Sequence, residues 1–353
     1  MSFQVTLVSN GRKFDVGDDE TILNAAFRNG LSLNFKCGNG SCKTCCARIV
    51  SGSVHYPWRE PLALTAEEMQ AGSVLVCQAA PLSDLEIDAQ IRVGLMEEVR
   101  LQEIKTALDG IHIKKVKATV VGLDKLSHDV MRLQLKLHSP LNWVAGQYAN
   151  IGKNGIFRDF SIGSLPSSPD IIEMHIRRVP SGKFTNYIFT DLHLGDELDV
   201  EGPLGTFFLR SRSTRPMLLV AGGTGFAPIK ALIESRIEEG SHVPMVLYWG
   251  VRQERDLYLA DTVVSWTKKL ADFNFVPVLS ECEPGSDWMG RRGFLHDALA
   301  ADIRDAGAMD IYVAGPPPMV EAVNRVLSEK GARQDRLFTD SFEFALGPSA
   351  DVA

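Results

Sequence analysis

Five of the six cysteines in this chain, Cys37, Cys42, Cys45, Cys46 and Cys77, fall in its first quarter, and Cys282 stands alone far downstream. Four of the five read C-x4-C-x2-C and then, after 31 intervening residues, Cys77. Clustering of this kind in a reducing compartment marks metal far more often than disulfide. The spacing is that of a loop wrapping one [2Fe–2S] cluster. The alternative is a four-cysteine zinc site, which expects two close ligand pairs, and only one is present. The stretch Asn34–Thr44 is poor in apolar residues and holds Gly38 and Gly40, so it is expected to be an ordered loop and not a regular element. Gly38, Gly40 and Ser41 allow close approach of backbone N–H groups to sulfur. Cys46 adjoins Cys45, and if it opens a strand its side chain points the other way. Cys46 and Cys282 are both expected to be structural thiols, Cys46 a buried one.

At 353 residues, two or three domains are expected. A hydrophobic content of 45% argues against disorder, and a net charge of -7 against a nucleic-acid binder. No run approaches 18 apolar residues, and the first twenty residues have no basic stretch leading into an apolar one. The expectation is a cytoplasmic protein with neither membrane nor nucleic-acid partner.

Three patterns succeed one another along the chain. Phe3, Val5 and Leu7 alternate, Asn10-Gly11 makes a hairpin turn, Thr21–Asn29 suits a short helix, and Thr65 with Glu68 forms a capping box. Val74–Cys77 and Leu85–Ile87 read as short strands, completing a small α+β unit. Gly94–Gly110 is charged and reads as a linker. From Ile113 to about Phe208, short strands at 116–123, 130–137, 171–179 and 197–201 alternate with turns, the signature of an antiparallel barrel or sandwich, with one helix at 184–189. Beyond the basic stretch Arg210–Arg215, apolar strands at 217–221, 243–249, 274–279 and 309–314 alternate with helices at 227–238, 258–270, 295–303 and 319–330. That alternation means a parallel sheet covered on both faces.

The turns after two of these strands carry chemistry. Gly222-Gly223-Thr224-Gly225 lies after a strand and before a helix, where a doubly wound sheet binds a dinucleotide pyrophosphate. Gly315-Pro316-Pro317-Pro318-Met319 occupies the same kind of junction, so two rigid loops are expected to meet at the carboxyl edge of the sheet. Three prolines remove three N–H donors, so the second loop shapes and stacks more than it cradles. In the barrel segment, Arg158-Asp159-Phe160-Ser161 joins a cation, an aromatic plane and a hydroxyl. Arg177 and Arg178 lie close in sequence to Gly182-Lys183-Phe184-Thr185. Either group suits a flavin ring and its phosphates; ordinary surface arginines and a core phenylalanine are the alternative.

Taken together, these motifs resemble the NADH-dependent reductase components of bacterial multicomponent oxygenases, of phenol hydroxylase and methane monooxygenase type, over essentially the whole chain. The resemblance implies a β-grasp-like α+β ferredoxin domain at 1–94, a linker at 95–112, and an antiparallel β-barrel flavin domain at 113–212. An α/β nicotinamide domain with a parallel sheet at 213–342 and a tail near the flavin at 343–353 complete the arrangement. It implies a [2Fe–2S] cluster on Cys37, Cys42, Cys45 and Cys77. FAD would be held by Arg158, Asp159, Phe160, Ser161, His175, Ile176, Arg177, Gly182, Lys183, Phe184 and Thr185. NADH would be held by Gly222, Gly223, Thr224, Gly225, Gly315, Pro316, Pro317 and Met319. Ser161, Phe342 and Phe344 would act at the flavin ring. Many relatives carry a cysteine before the GPPPM turn, where this chain has Ala314. The implied reaction passes a hydride from NADH to the flavin and single electrons through the cluster to a terminal oxygenase, as in aromatic hydrocarbon catabolism. A same-architecture alternative is the reductase of a deoxysugar-forming dehydratase, and a different class is a redox carrier or sensor without turnover. The partner is expected to dock near Asn39–Lys43 in a transient complex, with Lys36 and Lys43 favouring an acidic surface.

Overall fold

The structure, a computed structural model, describes residues 2–17, 20–35, 38, 40, 43–57, 61, 63–92, 95–210, 212–282 and 285–342, with the side chains of 95–100 excepted. It divides into two compact units, Met1–Ile113 and Lys114–Ala353. No described helix is long and apolar enough to cross a membrane.

In the first unit, β1 (Ser2–Leu7) and β2 (Lys13–Gly17) form the expected hairpin, followed by α1 (Ile22–Arg28), capped by the Thr21 side chain. Then come β3 (Cys46–Ser51), β4 (Val54–His55), α2 (Ala66–Gln70), β5 (Ser73–Leu75), β6 (Ala80–Pro81), β7 (Leu85–Asp88) and α3 (Leu95–Leu108). The five-stranded sheet runs β2-β1-β7-β3-β5, with β1 and β7 parallel. Alternation in β1 and β2 buries Val5, Leu7, Phe14 and Val16 on the face that receives α1. The capping box at Thr65 and Glu68 is formed. The strand expected at 74–77 stops at Leu75, because Gln78 N–H turns back onto the Leu75 carbonyl and carries Cys77 out of the ladder. The segment read as a linker is largely helix α3, with Leu101 and Ile104 buried.

The second unit opens with a six-stranded antiparallel sheet. Its strands are β8 (Lys114–Lys125), β9 (Val130–Leu137), β10 (Tyr148–Lys153), β11 (Ile156–Ser161), β12 (Ile171–Arg177) and β13 (Glu197–Leu204), with α4 (Lys183–Thr190) before the last. The order β11-β10-β13-β8-β9-β12 leaves β11 and β12 as the two edges. The sheet curls until these edges lie alongside each other, so the expected barrel forms with a seam and not a closed ladder. Past the end of β11, Gly163 N–H bonds the Glu173 carbonyl at 2.7 Å and bridges the seam at one point. The barrel core is aliphatic, with Ile151, Ile172, Met174 and Ile176 at its centre.

The rest of the unit is a six-stranded sheet, β14 (Met217–Gly222), β15 (Met245–Val251), β16 (Phe273–Leu279), β17 (Arg291–Arg292), β18 (Asp310–Gly315) and β19 (Leu337–Ser341). All five of its pairings are parallel, in the order β17-β16-β15-β14-β18-β19. Every residue of β14 and β18 is buried. Met217, Leu219 and Ala221 join one core and Leu218 and Val220 the other, as a sheet covered on both faces requires. The helices are α5 (Phe226–Glu238), α6 (Ala260–Trp266), α7 (Leu295–Asp302) and α8 (Pro317–Glu329). The chain leaves β14 towards β15 on one side and returns to β18 on the other. The carboxyl ends of β14 and β18 therefore frame the crevice at which such sheets bind ligands.

Candidate redox cofactor sites

In the first unit, Cys45 sits just before β3 and Cys77 just after β5. Both are buried, and their sulfurs lie 3.1 Å apart. That separation is too long for a disulfide and leaves two thiols converging on one point, as paired ligands of an iron–sulfur centre would. Cys37 and Cys42 lie outside the described residues, as do Lys36, Asn39 and Ser41. Cys46 is exposed and not buried as expected, because its strand position faces solvent. Lys43 bonds both carboxylate oxygens of Glu68 at 2.7 and 2.8 Å. Its charge is thus matched within the unit, which weakens the expected steering of an acidic partner by this residue.

In the second unit, a cleft enclosing about 770 Å³, partly open to solvent, follows the barrel seam. β11 contributes Arg158, Asp159, Phe160 and Ser161, and β12 contributes His175 and Arg177. The turn into α4 adds Val179, Gly182, Phe184 and Thr185, and the parallel-sheet half adds Thr224, Ala227 and Phe342. Two guanidinium groups and an aromatic lining match a phosphate-bearing planar ligand. Of the other residues expected here, Ile176 is in the barrel core and Lys183 is exposed on α4. Phe344 lies outside the described residues. Thr185 is engaged locally, its hydroxyl bonding the Val179 N–H and the Gly182 carbonyl.

Beneath the cleft lie two buried carboxyls. Ser161 Oγ donates to Asp340 Oδ2 at 3.0 Å, joining β11 to the end of β19 across 179 positions. Burial pushes the Asp340 carboxyl up to about 7, helped by nearby Asp159 and opposed by the Ser161 bond. Glu173 is buried as well, and burial alone would raise it. The His175 hydrogen bond and the charge of Lys230, 3.3 Å away, instead hold it down at about 2. Burial lowers the His175 pKa against the pull of Glu173, so the ring is neutral. An ionised Glu173 only accepts, so His175 Nε2–H donates to it at 3.1 Å. Nδ1 then accepts from the Tyr258 hydroxyl at 3.1 Å, a phenol held protonated by burial. Asp340, Glu173, Lys230 and Tyr258 were not singled out from sequence.

The two glycine turns meet as expected. A Cβ on Gly225 would lie 2.1 Å from the Ala314 carbonyl, so only glycine lets the first loop seat against β18. At Gly223 (φ +56) a Cβ would come within 2.9 Å of the Arg177 guanidinium, which reaches across from the barrel. Trp249 Nε1 donates to the Gly223 carbonyl at 3.0 Å and stacks on Phe226 at 3.9 Å, fixing the loop from behind. The amino ends of α5 and α8 both follow these loops and turn positive dipole ends towards an anionic ligand, although α8 opens on Pro317 and Pro318, which have no N–H to offer.

Comparison with known proteins identifies the three domains. Three family models match in succession: a 2Fe-2S iron–sulfur cluster binding domain at residues 5–82, an oxidoreductase FAD-binding domain at 117–209, and an oxidoreductase NAD-binding domain at 219–325. The reductase component of phenol 2-monooxygenase from a Pseudomonas species is 33% identical over 97% of this chain and 95% of its own length. The CDP-6-deoxy-L-threo-D-glycero-4-hexulose-3-dehydrase reductase of Yersinia pseudotuberculosis is 32% identical over 97% and 99%. Among solved structures, the Amycolatopsis cytochrome P450 reductase GcoB superposes with a TM-score of 0.75 at 30% identity, covering 96% of this chain and 98% of that one. The chain therefore belongs to the NADH-dependent reductases that carry FAD and a [2Fe–2S] cluster, the family that includes the reductase components of bacterial multicomponent oxygenases.

Proposed function

We propose that this chain takes electrons from NADH and delivers them singly to a separate oxygenase component. The observation that carries this reading is the convergence of Arg158, Arg177, the Ser161–Asp340 pair and Phe342 on one cleft beside Thr224 of the nucleotide loop. When bound, FAD and the [2Fe–2S] cluster supply the conversion of two-electron hydride chemistry into one-electron transfer. The polypeptide binds and orients. Arg158 and Arg177 hold phosphate oxygens, and Phe160 and Phe184, stacked 6.2 Å apart, form an apolar wall. Ser161, backed by Asp340, would face the flavin ring, and Phe342 or Phe344 would cover it. The loops 222–225 and 315–319 take the nicotinamide dinucleotide, and Cys37, Cys42, Cys45 and Cys77 ligate the cluster. The division at 1–94, 95–112, 113–212, 213–342 and 343–353 belongs to the same reading, and the ranges of the three family models support it.

Reduction of ferricyanide by NADH, followed with the visible spectrum before and after anaerobic NADH, tests the reductase. Substrate-dependent NADH consumption on addition of a purified oxygenase component tests the partner. Arg158→Ala should lose flavin from the purified protein, and full flavin content in that variant would break the assignment. A second reading, electron delivery to a deoxysugar dehydratase, is supported by the Yersinia relative. It predicts turnover with that partner and none with oxygenases.

A further inference from the structure

We propose that His128, Asp129 and Asp256 form a binding site for a divalent transition cation of the zinc class. Such an ion would staple the barrel to the parallel-sheet half of the second unit. His128 and Asp129 lie in the turn between β8 and β9, and Asp256 lies in the 3-10 turn Glu254–Asp256 after β15. One ligating atom from each of the three falls within 4.8 Å of the others. Asp256 is only 4% exposed. Its Oδ2 accepts from the Gln253 N–H at 3.0 Å, but its buried Oδ1 has no hydrogen-bond partner among the described residues. That unsatisfied oxygen faces His128 Nδ1 at 3.4 Å. A buried acceptor left in this state is costly, and a cation would satisfy it.

The geometry selects the ion. Zinc bonds of about 2.0–2.1 Å in a tetrahedron set neighbouring ligand atoms roughly 3.4 Å apart, the separation seen between His128 and Asp256. The His128–Asp129 separation is 3.9 Å and needs only a small rotation of a side chain that is half exposed. Calcium and magnesium prefer six or more oxygen ligands, whereas an imidazole with two carboxylates and an open, water-facing position suits zinc. Asp129 accepts a hydrogen bond from Ser127 Oγ at 3.2 Å and is ion-paired with Arg177, whose Nε lies 3.2 Å away; such outer contacts orient carboxylate ligands. Arg177 also lines the cleft, so one residue separates the ion from the cofactor wall.

The test is equilibrium dialysis of the cofactor-loaded protein against zinc chloride. Bound zinc is counted by elemental analysis, and the visible spectrum verifies that the cluster is retained. Wild type should hold one zinc per chain more than His128→Ala and show a zinc-dependent rise in melting temperature that the variant lacks. His128→Cys, which supplies another zinc ligand at the same place, should restore uptake. Equal zinc in wild type and His128→Ala, or no zinc in wild type, would overturn the proposal.

Discussion

Glu173 and Asp340 are two carboxyls of the same unit, 7% and 6% exposed, and both stand behind the cofactor cleft. Their burial is nearly equal, yet one is held down at about 2 and the other pushed up to about 7. The difference is the company each keeps. Glu173 has the Lys230 ammonium, the His175 ring and Gln134 Nε2 at 3.2 Å. Asp340 has a hydroxyl and the like charge of Asp159. Burial alone therefore does not set the state of a carboxyl; the partners decide whether it serves as a fixed charge or as a proton store.

Removing the cation should erase the distinction. Lys230→Met strands an ionised Glu173 and should cost about 3–5 kcal/mol of unfolding free energy, with much of that recovered in the Lys230→Met/Glu173→Gln double variant, both read by urea denaturation. Failure of the double variant to recover would mean that Lys230 acts through its bonds to the Gly163 carbonyl and Glu234 instead.

Asp340 carries the opposite sign. Its folded pKa lies above its unfolded value, so its contribution to stability is full below about pH 4 and is lost as pH rises to about 7. Asp340→Asn should flatten that slope and be the more stable protein at pH 8, by at most about 4 kcal/mol. Parallel slopes for the two proteins would show that Asp340 is not buried as a neutral acid.

Tyr258→Phe removes the donor to His175 Nδ1 and should cost about 1–3 kcal/mol in thermal or urea unfolding. No loss would mean that the ring turns to find another partner. The smallest effect belongs to the exposed pair in the other unit: Lys43→Met should leave the melting temperature near that of wild type, because ion pairs in solvent contribute little.

What was readable in the sequence is what is local in the chain. The C-x4-C-x2-C run, the capping box at Thr65 and the two glycine turns are each short stretches of chain and keep their signal without a partner. The hairpin β10–β11 carries a local signal of the same kind: Asn154-Gly155 is a favoured hairpin pair, and both residues take positive φ, 55° and 81°. β19 was not legible, since Thr339, Asp340 and Ser341 read as loop until β18 supplies a parallel neighbour. The helix expected from Tyr258 begins at Ala260, because Tyr258 is drawn into its bond with His175. The cleft itself gathers segments from Arg158 to Phe342, and no spacing rule spans that distance.

The end of β19 has a practical consequence. Phe342 N–H bonds the Gly315 carbonyl at 3.0 Å while its side chain lines the cleft. A fluorescent label attached directly after Phe342 would therefore sit at the cofactor wall and report on what enters it.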